Sequence, residues 1–142
     1  MQPALFDSSV YISALRKGDS SALAARSLAV NTPLWVSAVV LEELYAGADD
    51  RSRQAVERLE CDFAKAKRIL LPTLSDWTQT GKVLARLATR YGDERIGQAR
   101  LTNDALIAMS AGRMGITVIT VNERDFRQLA EFRPFHWRLA RL

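Results

Sequence analysis

Three carboxylates interrupt the most apolar stretches of this chain. Asp7 follows Ala4-Leu5-Phe6, Glu43 lies within Val39-Val40-Leu41-Glu42-Glu43-Leu44, and Asp104 precedes Ala105-Leu106-Ile107-Ala108. A carboxylate among such neighbours is costly to bury unless it is paired, hydrogen-bonded or bound to a cation. Three of them, far apart in sequence, point to a site that only folding assembles. Asn122 and Asp125 place two more oxygen-bearing side chains just beyond Ile116-Thr117-Val118-Ile119-Thr120, a run β-branched at every position.

The elements that must position these groups follow from hydrophobic period. Short apolar runs alternate with longer segments of helical period, the pattern of parallel strands crossed by helices. Pro3 to Phe6 predicts a strand, followed by a helix from about Ser9. Ser20 or Ser21 can cap a second helix through Leu28, and Leu34-Trp35-Val36 predicts a short strand. Ser37 can cap the helix that carries Glu43 and ends near Gly47. Asp49 starts another, reaching about Lys67, and Arg68 to Pro72 predicts a third strand stopped by its proline.

Ser75 caps a long amphipathic helix through Tyr91, with Trp77, Val83, Leu84, Leu87 and Ala88 among its apolar positions. Thr102 or Asn103 begins a helix to about Met114, and Gly115 is placed as its left-handed stop. Ile116 to Thr120 is the clearest strand, Asn122 to Asp125 turn into a short helix, and Phe135-His136-Trp137 reads as a last edge strand. The expected architecture is a three-layer α/β/α sandwich around a short, mostly parallel sheet of about five strands, in one domain spanning residues 1–142.

In an open parallel α/β sheet, ligands bind outside the carboxyl ends of the strands. Asp7 ends the first strand and Asn122 to Asp125 follow the strongest one. Asp104 is expected in the first turn of its helix, where the dipole favours the ionised form. Each residue has a plainer reading beside this one. Asp7 also serves as a helix cap, Asp104 as first-turn charge compensation, and Asp125 as a cap before Phe126. Periodicity alone does not choose between Glu42 and Glu43, since both have apolar or small helical neighbours.

Composition narrows the function classes. Lys and Arg outnumber Asp and Glu by 20 to 16, a formal charge of +4, with a pI near 9.6. That bias favours a polyanionic partner and equally serves solubility. Cys61 is the only cysteine, which excludes an internal disulfide and a multi-cysteine zinc site; a small core residue is its expected role. The sequence has no secretory signal pattern and no run of membrane-spanning length, so the expectation is a soluble, cytoplasmic protein. His136 is the only histidine, and a pair of proton-exchanging histidines is therefore excluded. It is expected to be structural or exposed.

Taken together, Leu5-Phe6-Asp7-Ser8-Ser9-Val10-Tyr11-Ile12, Ser37 with Glu43-Leu44-Tyr45-Ala46-Gly47, Asn103 to Ala108, and Ile119 to Phe126 resemble the motif series of PIN-domain ribonucleases. Length and spacing look most like VapC-type toxins of toxin–antitoxin pairs. The resemblance selects Glu43 over Glu42, because the family's acid directly precedes Leu in a Glu-Leu-x-x-Gly pattern. It assigns Asp7, Glu43 and Asp104 as catalytic, metal-binding acids. The fourth acid of many PIN domains corresponds here to Asn122, a neutral oxygen ligand, and Asp125 is the residue that can restore the missing charge through water.

The resemblance further implies a metal-dependent endoribonuclease whose products end in 5′-phosphate and 3′-hydroxyl. Oxygen ligands of this hardness suit Mg²⁺ or Mn²⁺. Arg86, Arg90, Arg95, Arg100, Arg113, Arg124 and Arg127 flank Asp104 in sequence and are expected to give an RNA substrate a basic rim. The implied protein partners are a second copy of the chain and a cognate antitoxin. Val10, Tyr11, Ile12, Leu15, Leu23 and Leu28 offer the antitoxin a groove, or else pack the core. A haloacid-dehalogenase-like phosphatase would need a second Asp two residues after Asp7, where Ser9 stands. The remaining alternative is a catalytically weak PIN domain that binds RNA or a partner protein.

Overall fold

A computed structural model describes residues 2–16, 32–95 and 98–140. Strand β1 (Ala4–Phe6) leads into α1 (Ser8–Arg16), and β2 (Leu34–Ser37) into α2 (Ala38–Ala46). Then come α3 (Asp50–Lys65), β3 (Ile69–Leu70), α4 (Leu74–Tyr91), a short 3₁₀ turn (Asp93–Arg95), α5 (Ala99–Met114), β4 (Thr117–Thr120), α6 (Glu123–Phe132) and β5 (Trp137–Leu139). The helix expected from Ser20 or Ser21 to Leu28 lies outside the described residues.

The five strands form one sheet in the order β3-β2-β1-β4-β5, every pair parallel. Helices flank it, as the α/β/α expectation requires. Leu5 is the register centre, opposite Trp35 on one side and Val118 on the other. Strand β1 lies in the middle of the sheet, and the chain builds outward from it through β2 and β3, then crosses to β4. The strand order therefore reverses between β1 and β4, and the crevice at such a switch point is where open α/β sheets bind ligands.

The core is continuous through the sheet. Leu5, Val36, Ile107, Val118 and Leu87 are fully buried, as are Phe126 and Leu129 of α6. Val10 and Tyr11 belong to this core, with Ile12 packed partly against it, so the plainer reading holds for them; Leu23 and Leu28 lie outside the described residues, as does the side chain of Leu15. Phe6 and Tyr11 meet edge to face at 5.8 Å.

Capping chemistry sets most helix starts. Ser37 Oγ accepts from Val39 N at 3.1 Å, and Asp49 caps α3 with a reciprocal bond from Ser52. For α4 the cap is Thr73 rather than Ser75, because Asp76 sits three residues on and returns a bond to the Thr73 N–H at 2.9 Å. Gly115 ends α5 at φ 68°, a left-handed turn that glycine adopts without a Cβ penalty. Strand β3 is shorter than expected, and β5 lies two residues later, with Trp137 rather than Phe135 opposite Val118. Cys61 is exposed on α3 instead of packed in the core.

The largest departure is α5. It begins at Ala99 behind an uncapped Gln98, not at Thr102 or Asn103. Asp104 is thus in the second turn, beyond the reach of the terminal dipole.

Candidate functional site

Asp7 leaves the carboxyl end of β1, its N–H still bonded to the Ile119 carbonyl at 3.1 Å. Its side chain is buried, and hydroxyls serve both oxygens. Ser9 Oγ donates to Oδ1 at 2.5 Å, and Thr120 Oγ1, at the end of β4, donates to Oδ2 at 2.7 Å. Burial raises the Asp7 pKa above the usual carboxylate value, opposed by these two hydroxyls, the Val10 N–H and the Arg100 charge. The cap reading is therefore incomplete: the carboxylate bridges β1, α1 and β4.

Glu43 projects from α2 and is half-buried, whereas Glu42 beside it is exposed. One Glu43 oxygen, Oε1, is buried with no hydrogen-bond partner. Burial raises this carboxyl too; the side chains of Ser8 and Asn103 oppose the rise, and the charges of Glu42 and Asp7 add to it. The structure thus separates the two glutamates that periodicity left equal.

Asp104 on α5 is 2% exposed, and its pKa is pushed up to about 8. Burial is the main cause, followed by the charges of Asp7, Asp125 and Glu43, with Arg100 opposing. The expectation of a dipole-favoured ionised group is overturned, since the helix starts too early to supply that dipole. Asp104 therefore feels the charges of both Asp7 and Glu43, and Glu43 that of Asp7, although β1, α2 and α5 deliver them separately.

Asn122 and Asp125 join them at the start of α6. Asn122 occupies the cap position without a side-chain capping bond, so Asp125 is the third helical residue and not the cap. The Asn122 backbone N–H donates to Thr120 Oγ1 at 2.9 Å. Its side-chain Nδ2 donates to Asp104 Oδ2 at 3.0 Å and to Asp125 Oδ2 at 2.9 Å.

Beside these acids a cavity of about 480 Å³ is lined by Glu94, Gln98, Arg100, Asn122, Arg124 and Asp125. Among the described side chains, the expected basic rim contracts to two arginines, Arg100 and Arg124. Arg113 is paired with buried Asp76 at 3.0 Å, and Arg90 with Glu131 at 3.4 Å. Arg86 donates to the Phe132 carbonyl and stacks over its ring, while Arg127 pairs with Glu123 on its own helix. The Arg95 side chain is outside the described residues. His136 is exposed on the far edge, its carbonyl accepting from Val118 N.

Two further groups escaped the sequence reading. Ser9 and Thr120 hold Asp7, and Gln98 with Glu94 gives the cavity polar edges. The spacing Asp-x-Ser is a local signal for the first, because a hydroxyl two residues on reaches back to a carboxylate. Nothing local marks Gln98.

A divalent cation fits these donors by their chemistry: hard oxygens, a clustered negative charge, and the orphaned Oε1 of Glu43. Among the described residues no three acidic, Cys or His side chains are already gathered as an ion cage. Part of the donor set is already hydrogen-bonded, Asp7 accepting on both oxygens and Asp104 on one.

A family model described as the PIN domain matches residues 4–132. The chain is also similar to solved structures. These include DNA-bound VapBC from Salmonella typhimurium, with a TM-score of 0.68 and 20% identity over 98% of each chain. VapBC2 from Rickettsia felis, bound to a promoter DNA fragment, gives 0.68 and 19% over 99% of this chain and 100% of that one. VapBC-1 from nontypeable Haemophilus influenzae gives 0.63 and 20% over 96% and 97%. At such identities the likeness is one of fold. No curated protein matches the chain in sequence.

Proposed function

Because the chain belongs to the PIN-domain family, we propose that it is a metal-dependent endoribonuclease, the toxin of a type II toxin–antitoxin pair. The observation that carries this reading is the convergence of Asp7, Glu43 and Asp104, in which the first two charges raise the Asp104 carboxyl and Asp7 raises Glu43. Three buried or half-buried acids drawn from three elements all have raised pKa values, a cost that a protein sustains where a cation offsets it.

In this reading Glu43 Oε1 and the carboxylates of Asp7 and Asp104 hold the cation, with Asn122 and Asp125 behind them. Mg²⁺ or Mn²⁺, when bound, lowers the pKa of a water and neutralises charge on the leaving oxygen of a phosphodiester. Ser9 and Thr120 fix the Asp7 carboxylate so that it does not rotate away. Arg100 and Arg124 line the adjacent cavity and take phosphates of the RNA backbone, contacts that orient a strand without reading its sequence. Asp104 releases its proton as the site fills, which makes cation binding stronger as the pH rises toward 8.

The similarity to VapBC structures supports an antitoxin as partner. A second copy of the chain is the other proposed partner. No helix among the described residues is long and apolar enough to cross a membrane, and we place the protein in the cytoplasm. Asn122, where many PIN domains carry an acid, favours one second reading: a catalytically weak domain that binds RNA or a partner protein.

Induction of the chain in its host, with and without Asp104→Ala, separates the two. The expected result is growth arrest and discrete new 5′-phosphate RNA ends from the native chain only. Equal toxicity from the variant would remove metal-assisted hydrolysis as the explanation.

A further inference from the structure

Asn122 presents its nitrogen, not its oxygen, to the acids. An amide nitrogen carries two hydrogens, and both are committed here, one to Asp104 Oδ2 and one to Asp125 Oδ2. Aspartate at this position has no donor for either bond and would add a third negative charge to two that already repel. Asn122 is itself anchored, because its backbone N–H donates to the Thr120 hydroxyl that in turn donates to Asp7 Oδ2. A continuous chain of hydrogen bonds therefore runs from Asp7 through Thr120 and Asn122 to Asp104 and Asp125.

We propose that Asn122 is a positioning residue, an amide bridge that holds Asp104 and Asp125 side by side in place of a fourth acidic ligand. Its use in cation binding rests on the metal-dependent reading above, while the bridge itself rests on the geometry alone. The amide supplies partial positive charge between two carboxylates, so both stay at the site without a second cation. Asp104 keeps Oδ1 outside the bridge, and that oxygen is the one left for a cation. Asp125 then acts through Asn122, not by touching the ion.

This arrangement predicts strong coupling. With Asp125 removed, one arm of the amide loses its anchor, and with Asn122 removed, the hydrogen-bonded link between Asp125 and Asp104 is gone. Contacting residues in one network give non-additive effects, whereas independent sites add.

The test is a double-mutant cycle on the purified full chain with Asn122→Ala, Asp125→Ala and the double variant, read by calorimetric titration with Mn²⁺ alone. Loss of an outer partner commonly weakens metal binding roughly 10–100-fold. Asn122→Ala is expected to weaken Mn²⁺ binding about tenfold, Asp125→Ala several-fold, and the double variant no more than Asn122→Ala. Additive losses, or unchanged affinity in Asn122→Ala, would overturn the bridge. The same four proteins are unfolded with urea in chelator, where coupling between the two positions is again expected and strict additivity again overturns it. If the native chain binds Mn²⁺ with this coupling yet cuts no RNA, the nuclease reading fails and the bridge stands. If it binds no Mn²⁺, the nuclease reading fails and the unfolding cycle alone decides the bridge.

Discussion

In chelator, Asp104→Asn is expected to stabilise the fold, and more so the higher the pH. Folding raises the Asp104 pKa from 3.8 to about 8. Between these values the folded chain keeps a proton that the unfolded chain has released, so the stability of the native protein falls as pH rises through that window. Below the window both states are protonated and the penalty is absent; above it both are ionised and the penalty is complete. At about 1.4 kcal/mol per pKa unit, the ceiling is roughly 6 kcal/mol. Water entry and side-chain rotation on ionisation reduce this to an expected ~2–3 kcal/mol. Asparagine has nearly the same shape, keeps an acceptor for Asn122 Nδ2, and carries no charge to penalise. At about 3 °C per kcal/mol for a chain of this size, the variant should melt roughly 6–9 °C above the native protein at pH 8.5 and at the same temperature near pH 4. Thermal unfolding by circular dichroism from pH 4 to 9 reads this directly. Parallel curves for the two proteins, or a less stable variant at pH 8.5, would refute the account of why Asp104 is raised.

Other substitutions test neighbouring claims. Glu43→Gln is expected to lower RNA cleavage by at least about 100-fold, since it removes a charge facing the other acids, while exposed Glu42→Gln stays within about twofold; single-turnover assays compare them. Arg100→Ala and Arg124→Ala should each weaken RNA binding and reduce the slope of log affinity against log salt by about one, measured by fluorescence anisotropy. Arg113→Ala strands the Asp76 carboxylate, which is 3% exposed, and is expected to cost about 2–3 kcal/mol in urea unfolding at pH 7. Burial pushes Asp76 up, but the Arg113 hydrogen bonds, the Thr73 N–H and the Arg113 charge outweigh it. The Asp76 pKa is therefore lowered, and this contribution disappears as pH falls below about 4. Gly115→Ala forces a side chain to φ 68° and should cost about 1 kcal/mol without changing Mn²⁺ binding.

What the residues disclosed depended on how local the governing force was. Strands β1 and β4 were legible because their side chains are buried on both faces, which demands unbroken apolar or β-branched runs. Caps at Ser37 and Asp49 were legible because each residue's own side chain accepts a backbone N–H two or three residues on. The start of α5 was not, because Gln98-Ala99-Arg100 carries no capping side chain, and with it the charge state of Asp104 was misread. Strand β5 slipped because Phe135 and Trp137 alternate equally well. Phe135 instead packs on Phe126 and lies against Gly112, where an added Cβ would come within 3.2 Å of it. Trp77 was expected among the apolar positions of α4, yet it is 54% exposed, and Leu71 and Leu74 are exposed too, because the buried apolar positions of the helix begin only at Val83. The choice of Glu43 over Glu42 came from motif resemblance, and the structure now gives it a local cause: one is exposed and the other holds an orphaned oxygen.

The bond between Thr120 and Asp7 joins positions 113 residues apart. On a ribosome elongating at about 5–20 residues per second, Asp7 precedes its partner by roughly 6–23 s. Throughout that interval the nascent chain contains Asp7 and then Glu43 but lacks β4, the strand whose end orients the first acid and anchors Asn122. The order of synthesis thus acts as a timer: the site cannot assemble before β4 has been made, and whatever chemistry it performs begins only after that.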